Sequence, residues 1–268
     1  DMSEKLTDHK KQNNFYNVSP SLSPDGSMVA VLSDQNGYFD INILDAMTGE
    51  KIKKLIKGNR GVDFEELKWL QPGLSWSPDS KKIVFAAKSG SSDALYLVDV
   101  DTGEKEKIRF DLDGVFSAAW SPSGNQLAYV GYEKGASDIY IYDIESKQSV
   151  NLTSDVFSDS EPTWSPDGSL IAFVSDRDNN TNLKKTDADE MLSVDYDNKN
   201  IYIVNVKTLK VDQITNTNFD ENYPVFSNTQ DYLFFTSDSS GTWNLFKYDL
   251  NKRSSIVVTN LLTGIFQL

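Results

Sequence analysis

Five short apolar runs recur along the chain, at residues 28–32, 83–87, 127–130, 170–174 and 232–235, and no apolar run exceeds five residues. They are continuous rather than spaced at three and four, and turn residues bound them. Such runs read as strands buried on both faces, not as amphipathic helices. Ahead of the first four stands a turn signature: Ser23-Pro24-Asp25-Gly26 and Ser165-Pro166-Asp167-Gly168, with the variants Ser77-Pro78-Asp79-Ser80 and Ser121-Pro122-Ser123-Gly124. Pro presets φ, Asp can bond the backbone of its own turn and Gly accepts positive φ, so the motif predicts a hairpin connection through which no helix could run. After each run comes a triplet of one type: Asp40-Ile41-Asn42, Ala94-Leu95-Tyr96, Asp138-Ile139-Tyr140, Asn200-Ile201-Tyr202 and Asn244-Leu245-Phe246. In the fourth copy, residues 161–165, 170–174, 201–206 and 211–215 complete a set of four strands.

The spacing is regular. Anchor Ser and triplet centre lie 18 residues apart at 23→41, 77→95, 121→139 and 227→245, which makes Phe226-Ser227-Asn228 a degenerate fifth copy. Triplet centre and next anchor lie 26 apart at 95→121, 139→165 and 201→227, for a unit of 44 residues. The two exceptions are insertions, ten residues between 41 and 77 and eighteen between 165 and 201. Repeats of ~40–45 residues with four strands each predict an all-β chain, a β-propeller of four-stranded antiparallel blades. Read this way, residues 1–268 are a single domain with blades near 18–57, 72–110, 117–154, 161–216 and 223–259. A sixth anchor would fall at 271, so residues 260–268 are expected either to close the ring or to begin a sixth blade of a longer protein, the latter being the favoured expectation. Trp76, Trp120, Trp164, Phe226 and Leu22 share one slot just before the turn. Repetition there predicts wedges between neighbouring blades rather than a sugar-stacking platform.

Alternating strand direction puts the first-to-second and third-to-fourth turns at one end of each blade, and the other two connections at the opposite end. The Pro-Asp-Gly end is uniform, and Asp45, Asp99 and the Asp111–Asp113 pair read as turn residues. Both insertions fall at the other end, within residues 57–73 and 178–199. Long loops on a rigid scaffold are where binding residues gather, so that end is the candidate face. Its rim is expected to carry Tyr16 with Asn17, Trp69, Gln71, Val115 with Phe116, Asp159, Glu161, Glu221, Asn222 and Tyr223. Aromatics mixed with carboxylates suit a basic or mixed-polarity peptide better than an anion. The acidic insertion offers Asp187, Asp189, Asp195 and Asp197 as weak calcium candidates. Lys199 stands where an EF-hand-like loop needs an acceptor and the loop glycine is missing, so a solvated acidic loop is the simpler reading.

Composition narrows the chemistry. Twenty-six Lys and Arg against 40 Asp and Glu give a net charge of −14, which repels phosphate backbones and excludes nucleic acid as the expected partner. With no Cys and one His, thiol chemistry, disulfides and multi-histidine zinc sites are excluded. A Ser–His–Asp triad would need His9, in a polar terminal segment, and no G-x-S-x-G elbow exists. No cofactor is implied. A bilayer span needs roughly 20 apolar residues, so no membrane insertion of this segment is expected. The N-terminus shows no signal peptide, which decides nothing about export.

The repeat resembles the TolB-like, WD-repeat-like β-propellers, whose hallmark is x-W-S-P-D-G followed by an apolar strand ending in S-D-R or S-D. Residues 164–168 with Ser175-Asp176-Arg177 match in full, Ser33-Asp34 and Ser237-Asp238 match the end, and the fifth copy departs with Asn228-Thr229-Gln230. Residues 63–69 and 71–73 are similar to stretches in a subgroup of large bacterial envelope proteins. The resemblance implies an exported, periplasmic or surface location and the binding of protein or peptide, and it transfers no catalytic residue. The expected function is therefore a non-catalytic binding module. Two alternatives stay open: a glycoside hydrolase working with carboxylates around the channel, which needs two carboxyls ~5–5.5 or ~6.5–9.5 Å apart, and an accessory propeller gating a peptidase domain outside this chain.

Overall fold

The computed structural model describes residues 6–8, 14, 16–34, 38–58, 66–67, 73–181, 196 and 198–265. Among these every regular element is a strand. The first sheet runs β1 (Asn17–Leu22), β2 (Met28–Ser33), β3 (Asp40–Asp45), β4 (Lys51–Ile56). In the second, β5 (Glu66–Leu67) and β6 (Ser75–Trp76) share one edge of β7 (Lys82–Ser89), followed by β8 (Ser92–Asp99) and β9 (Lys105–Arg109). The third is β10 (Gly114–Trp120), β11 (Gln126–Glu133), β12 (Ala136–Asp143), β13 (Gln148–Asn151). The fourth is β14 (Asp159–Trp164), β15 (Leu170–Ser175), β16 (Asn200–Asn205), β17 (Val211–Gln213), and the fifth β18 (Glu221–Phe226), β19 (Tyr232–Ser237), β20 (Asn244–Asp249), β21 (Ser254–Val257). These are the four-stranded antiparallel blades of a β-propeller, in sequence order. The chain divides into two compact units, residues 1–120 and 121–268, the division falling in the third sheet between β10 and β11.

The turn motif works by local chemistry. Each anchor Ser hydroxyl accepts the backbone N–H five residues on: Met28 to Ser23 (2.9 Å), Lys82 to Ser77 (2.8 Å), Gln126 to Ser121 (3.0 Å), Leu170 to Ser165 (2.9 Å) and Tyr232 to Ser227 (3.1 Å). Where Asp follows, the same hydroxyl donates to its carboxylate, as Ser165 does to Asp167 at 2.7 Å. Hydrogen bonds from Ser165 and Ser169 hold the Asp167 carboxyl down at about 2. Gly168 closes the turn at φ 71°, and the degenerate copy puts Gln230 there at φ 60°. The third-to-fourth turns repeat a second device, Asp45, Asp99, Asp143, Asn205 and Asp249 each accepting the N–H three residues on.

The second strands are buried on both faces as their pattern implies, with Ile171, Ala172, Phe173 and Val174 fully inaccessible. Inter-blade packing uses the wedge slot. Trp76 is buried against Ala30, Ile41 and Ile43 of the first blade and donates its indole N–H to the Ser21 carbonyl at 2.9 Å. Phe226 sits likewise in a cluster with Ala172, Ile201 and Ile203 of the fourth blade. Leu22 departs from that expectation: it occupies the same slot yet is 61% exposed. Residues 258–265 form no strand. They fold back on the fifth blade, where Thr242 Oγ1 donates to the Leu261 carbonyl and the Ile265 N–H to the Trp243 carbonyl, both at 2.8 Å.

Candidate functional site

Antiparallel pairing places the starts of the first and third strands, and the ends of the second and fourth, at one end of each blade. In the fourth and fifth blades that end carries Asp159, Ser175 and Asn200, then Glu221, Ser237 and Asn244. It is held by a threonine latch that the sequence carried unread. Thr153, Thr215 and Thr259 stand fourteen residues after the triplet centres Ile139, Ile201 and Leu245, and accept their N–H groups at 3.0, 2.8 and 2.9 Å. The triplet's first residue completes it: Asn200 accepts from the Thr217 N–H at 2.9 Å and Asn244 from the Leu261 N–H at 2.7 Å.

Inner strands carry a bulge at a fixed place. On β14 the register passes from Ser160↔Val174 to Thr163↔Ala172, and on β18 from Asn222↔Thr236 to Val225↔Phe234, one extra residue each time. The same step occurs on β1 between Val18 and Ser21. The bulged residues are four positions before the anchor Ser and lie in the left-handed region: Ser19 (φ 54°), Ser117 (36°), Glu161 (55°) and Tyr223 (56°). A side chain there costs roughly 1–2 kcal/mol, and a bulge re-aims side chains toward a site. In the second blade Gly73 fills this slot for a different reason, since a Cβ would stand 2.6 Å from the Ala118 nitrogen and the Ser117 Cα.

Ahead of the fourth-blade bulge, Asp159 is sealed beneath Arg177. The guanidinium is fully buried, donates to both Asp159 oxygens at 2.6 and 2.7 Å and to Ser175 Oγ at 2.8 Å, and stands 3.1 Å from Asp155 Oδ2. Three rings enclose it, Phe157, Phe173 and Tyr202, at 5.7, 5.1 and 5.4 Å. Burial opposes the Arg177 charge, but Asp159 and Asp155 outweigh it and hold the proton more firmly. Burial drives the Asp155 carboxyl upward, with Arg177 opposing and Asp159 and Asp138 adding to it. Tyr202 also donates to the Asp178 carbonyl, and the Ser158 N–H donates to Asp176 at 2.7 Å, so the network pins the base of the long insertion. Asp159 thus holds the rim in place instead of presenting itself on it. Arg177 was visible only as the end of a motif. The signal for its role was its 18-residue separation from Asp159, which register turns into contact.

At the bulge itself, Glu161 reaches the next blade and accepts the Tyr223 N–H on Oε2 at 2.6 Å. It is half-buried, and burial raises its carboxyl to about 7, against the pull of that hydrogen bond and of Lys199. Burial and the neighbouring Glu161 charge raise the half-buried Tyr223 phenol to about 12. Glu221 is only 2% exposed and accepts from Thr217 Oγ1 at 3.1 Å. Burial lifts it to about 7, opposed by hydrogen bonds from Thr215 and Thr217 and reinforced by Asp238 and Asp220. Asn222 is half-buried, its carbonyl accepting from Thr236. The structure therefore brings together Glu161, Glu221, Asn222 and Tyr223 on adjacent inner strands. Tyr16 and Phe116 belong to the other unit. Tyr16 is 60% exposed, its N–H donated to Asp34, and Phe116 is half-buried against Gly114. Trp69, Gln71, His9 and the calcium candidates Asp187, Asp189, Asp195 and Asp197 lie outside the described residues. Among the described residues no group of three or more His, Cys, Asp or Glu is arranged to hold a metal, and no helix is long and apolar enough to cross a membrane.

Residues 65–192 match the model of the TolB beta propeller domain. The fold is a TolB-like β-propeller. Its structural relatives include TolB from Acinetobacter baumannii (21% identity, TM-score 0.73, covering 93% of this chain and 55% of that one). The putative TolB from Agrobacterium tumefaciens is similar at 21% identity and TM-score 0.71, over 92% of this chain and 81% of that one. An oligogalacturonate lyase from Vibrio parahaemolyticus shares the fold at 13% identity and TM-score 0.62, over 96% of this chain and 68% of that one. The TolB-like chain thus spans about half of the Acinetobacter protein. No curated protein sequence matches it.

Proposed function

We propose that this TolB-like chain is a non-catalytic module that binds a protein or peptide at the insertion-bearing ends of its blades, within an exported bacterial envelope protein. The observation that carries the reading is the asymmetry of the blades. At the Ser-Pro-Asp-Gly end, side chains are spent on their own turns. At the other end, inner-strand residues in the left-handed region carry half-buried carboxylate and phenol groups, and the net charge of −14 favours a basic or mixed-polarity partner. The likeness to TolB supports the envelope setting. Binding of the intact protein to an array of random 12-residue peptides, followed by amide-shift mapping, tests the proposal. Saturable binding that moves the amides of residues 158–161 and 220–223 is expected; its absence from every peptide overturns the reading.

One observation favours the glycosidase alternative. Glu161 and Glu221 both hold their protons near neutrality, as a general acid must. Each is already hydrogen-bonded to its own scaffold, which favours binding over chemistry. Release of reducing ends from a panel of oligosaccharides, abolished by Glu161→Gln, would reverse that preference.

A further inference from the structure

The carboxylates of this protein do not all solve their burial in the same way. Asp159 is buried against Arg177, and Asp40 against the Lys54 ammonium. The turn aspartates face solvent and take hydrogen bonds from their own loops. Glu161 does neither. Its Oε2 is fixed by the Tyr223 N–H of the neighbouring blade, its side chain is half-buried, and among the described residues it has no ion-pair partner and Oε1 takes no hydrogen bond. Lys199, the cation whose field it feels, is exposed and forms no ion pair with it.

The residue whose N–H it accepts, Tyr223, carries a half-buried phenol that the Glu161 charge raises. Both residues occupy the strained bulge position, with left-handed backbones at φ 55° and 56°. A carboxylate oxygen that takes no hydrogen bond, on a residue bonded to the backbone of a tyrosine, has the composition of a cation site. The carboxylate supplies the counter-charge and the ring face supplies its quadrupole.

We propose that Glu161 and Tyr223 form the subsite that takes one cationic side chain of the bound peptide, a lysyl ammonium packed against the Tyr223 ring and paired with Glu161 Oε1. This rests on the peptide-binding reading above and names the chemistry of its partner. A cation seated there supplies the charge that burial denies to Glu161. Affinity therefore rises with pH as the carboxyl ionises through about 7, and the bound cation in turn lowers that midpoint. The groups acting on Glu161 are the Tyr223 backbone N–H and Lys199, both favouring its charge; the Tyr223 phenol is raised by Glu161 in turn, and Glu221, two residues along the neighbouring strand, is turned to Thr217.

The test uses the intact chain and two capped pentapeptides, Gly-Gly-Lys-Gly-Gly and the same sequence with norleucine in the centre. Amide shifts of Tyr223 and Asn222 read binding, and the side-chain carboxyl carbon of Glu161 reads its ionisation. The lysine peptide is expected to shift these amides saturably, at least tenfold more tightly than the norleucine peptide, and to lower the Glu161 midpoint. Glu161→Gln retains an oxygen for the Tyr223 N–H and is expected to lose that tenfold preference, whereas Glu106→Gln, on the exposed outer edge, retains it. Equal binding of the two peptides, an unchanged preference in E161Q, or no saturable shift with the lysine peptide overturns the subsite. In each case the peptide array decides separately whether the binding face stands. If E161Q fails to fold, the ligand-induced fall of the Glu161 midpoint in the unaltered protein decides.

Discussion

The two ends of a blade solve opposite problems with the same kinds of residue. At the Ser-Pro-Asp-Gly end, Ser165, Asp167 and Ser169 bond one another and the backbone within five residues, so each copy is complete in itself. At the insertion-bearing end, Asp159 and Asp155 meet Arg177 from 18 and 22 residues away, and Glu161 meets the Tyr223 N–H on the next blade. Self-contained chemistry tolerates degeneration, and Ser227 still makes its turn without Asp or Gly. Chemistry that depends on partners elsewhere does not.

The comparison breaks most readily at Arg177. Arg177→Met leaves two buried carboxylates unpaired and is expected to cost on the order of 3–5 kcal/mol in urea unfolding. Adding Asp159→Asn should recover part of that loss; full additivity of the two would show that the pair is not coupled.

Acidity separates the ends next. Glu161 and Glu221 hold their protons more tightly folded than unfolded, so between the ordinary 4.5 and about 7 the folded state carries more protons and stability falls as pH rises through that window. The loss between pH 5 and 8 should reach up to about 3 kcal/mol for the sealed Glu221 and less for half-buried Glu161. Glu221→Gln should flatten the curve measured by thermal unfolding. The turn aspartates act oppositely, their depressed values making stability fall below pH 4.

Smaller effects belong to the turn end. Ser165→Ala removes the acceptor of the Leu170 N–H and a donor to Asp167, and is expected to cost about 1–2 kcal/mol by denaturant titration. Ser227→Ala, with weaker bonds at 3.1 and 3.4 Å and no carboxylate, should cost visibly less. Smallest is Gln230→Gly, which relieves a left-handed backbone at φ 60° and should stabilise by roughly 0.5–1 kcal/mol, read as a higher denaturation midpoint.

By itself the sequence determined the blades. The hairpin turns rest on chemistry that closes within a few residues, and the apolar runs, the wedge slot and the 44-residue unit repeat at fixed spacing, so each repeat announces itself. The threonine latch was equally legible, as a Thr fourteen residues after three triplet centres. Tertiary structure alone decided what the rim residues do. One extra residue in an inner strand changes which face its side chains meet, and no pattern of residue types records it. Regular pairing opposite Ser175 seats Asp159 under Arg177, while the bulged Glu161 meets the backbone of Tyr223 sixty-two residues away, so a sealed ion pair and a carboxylate without a cation stand two positions apart on the same strand.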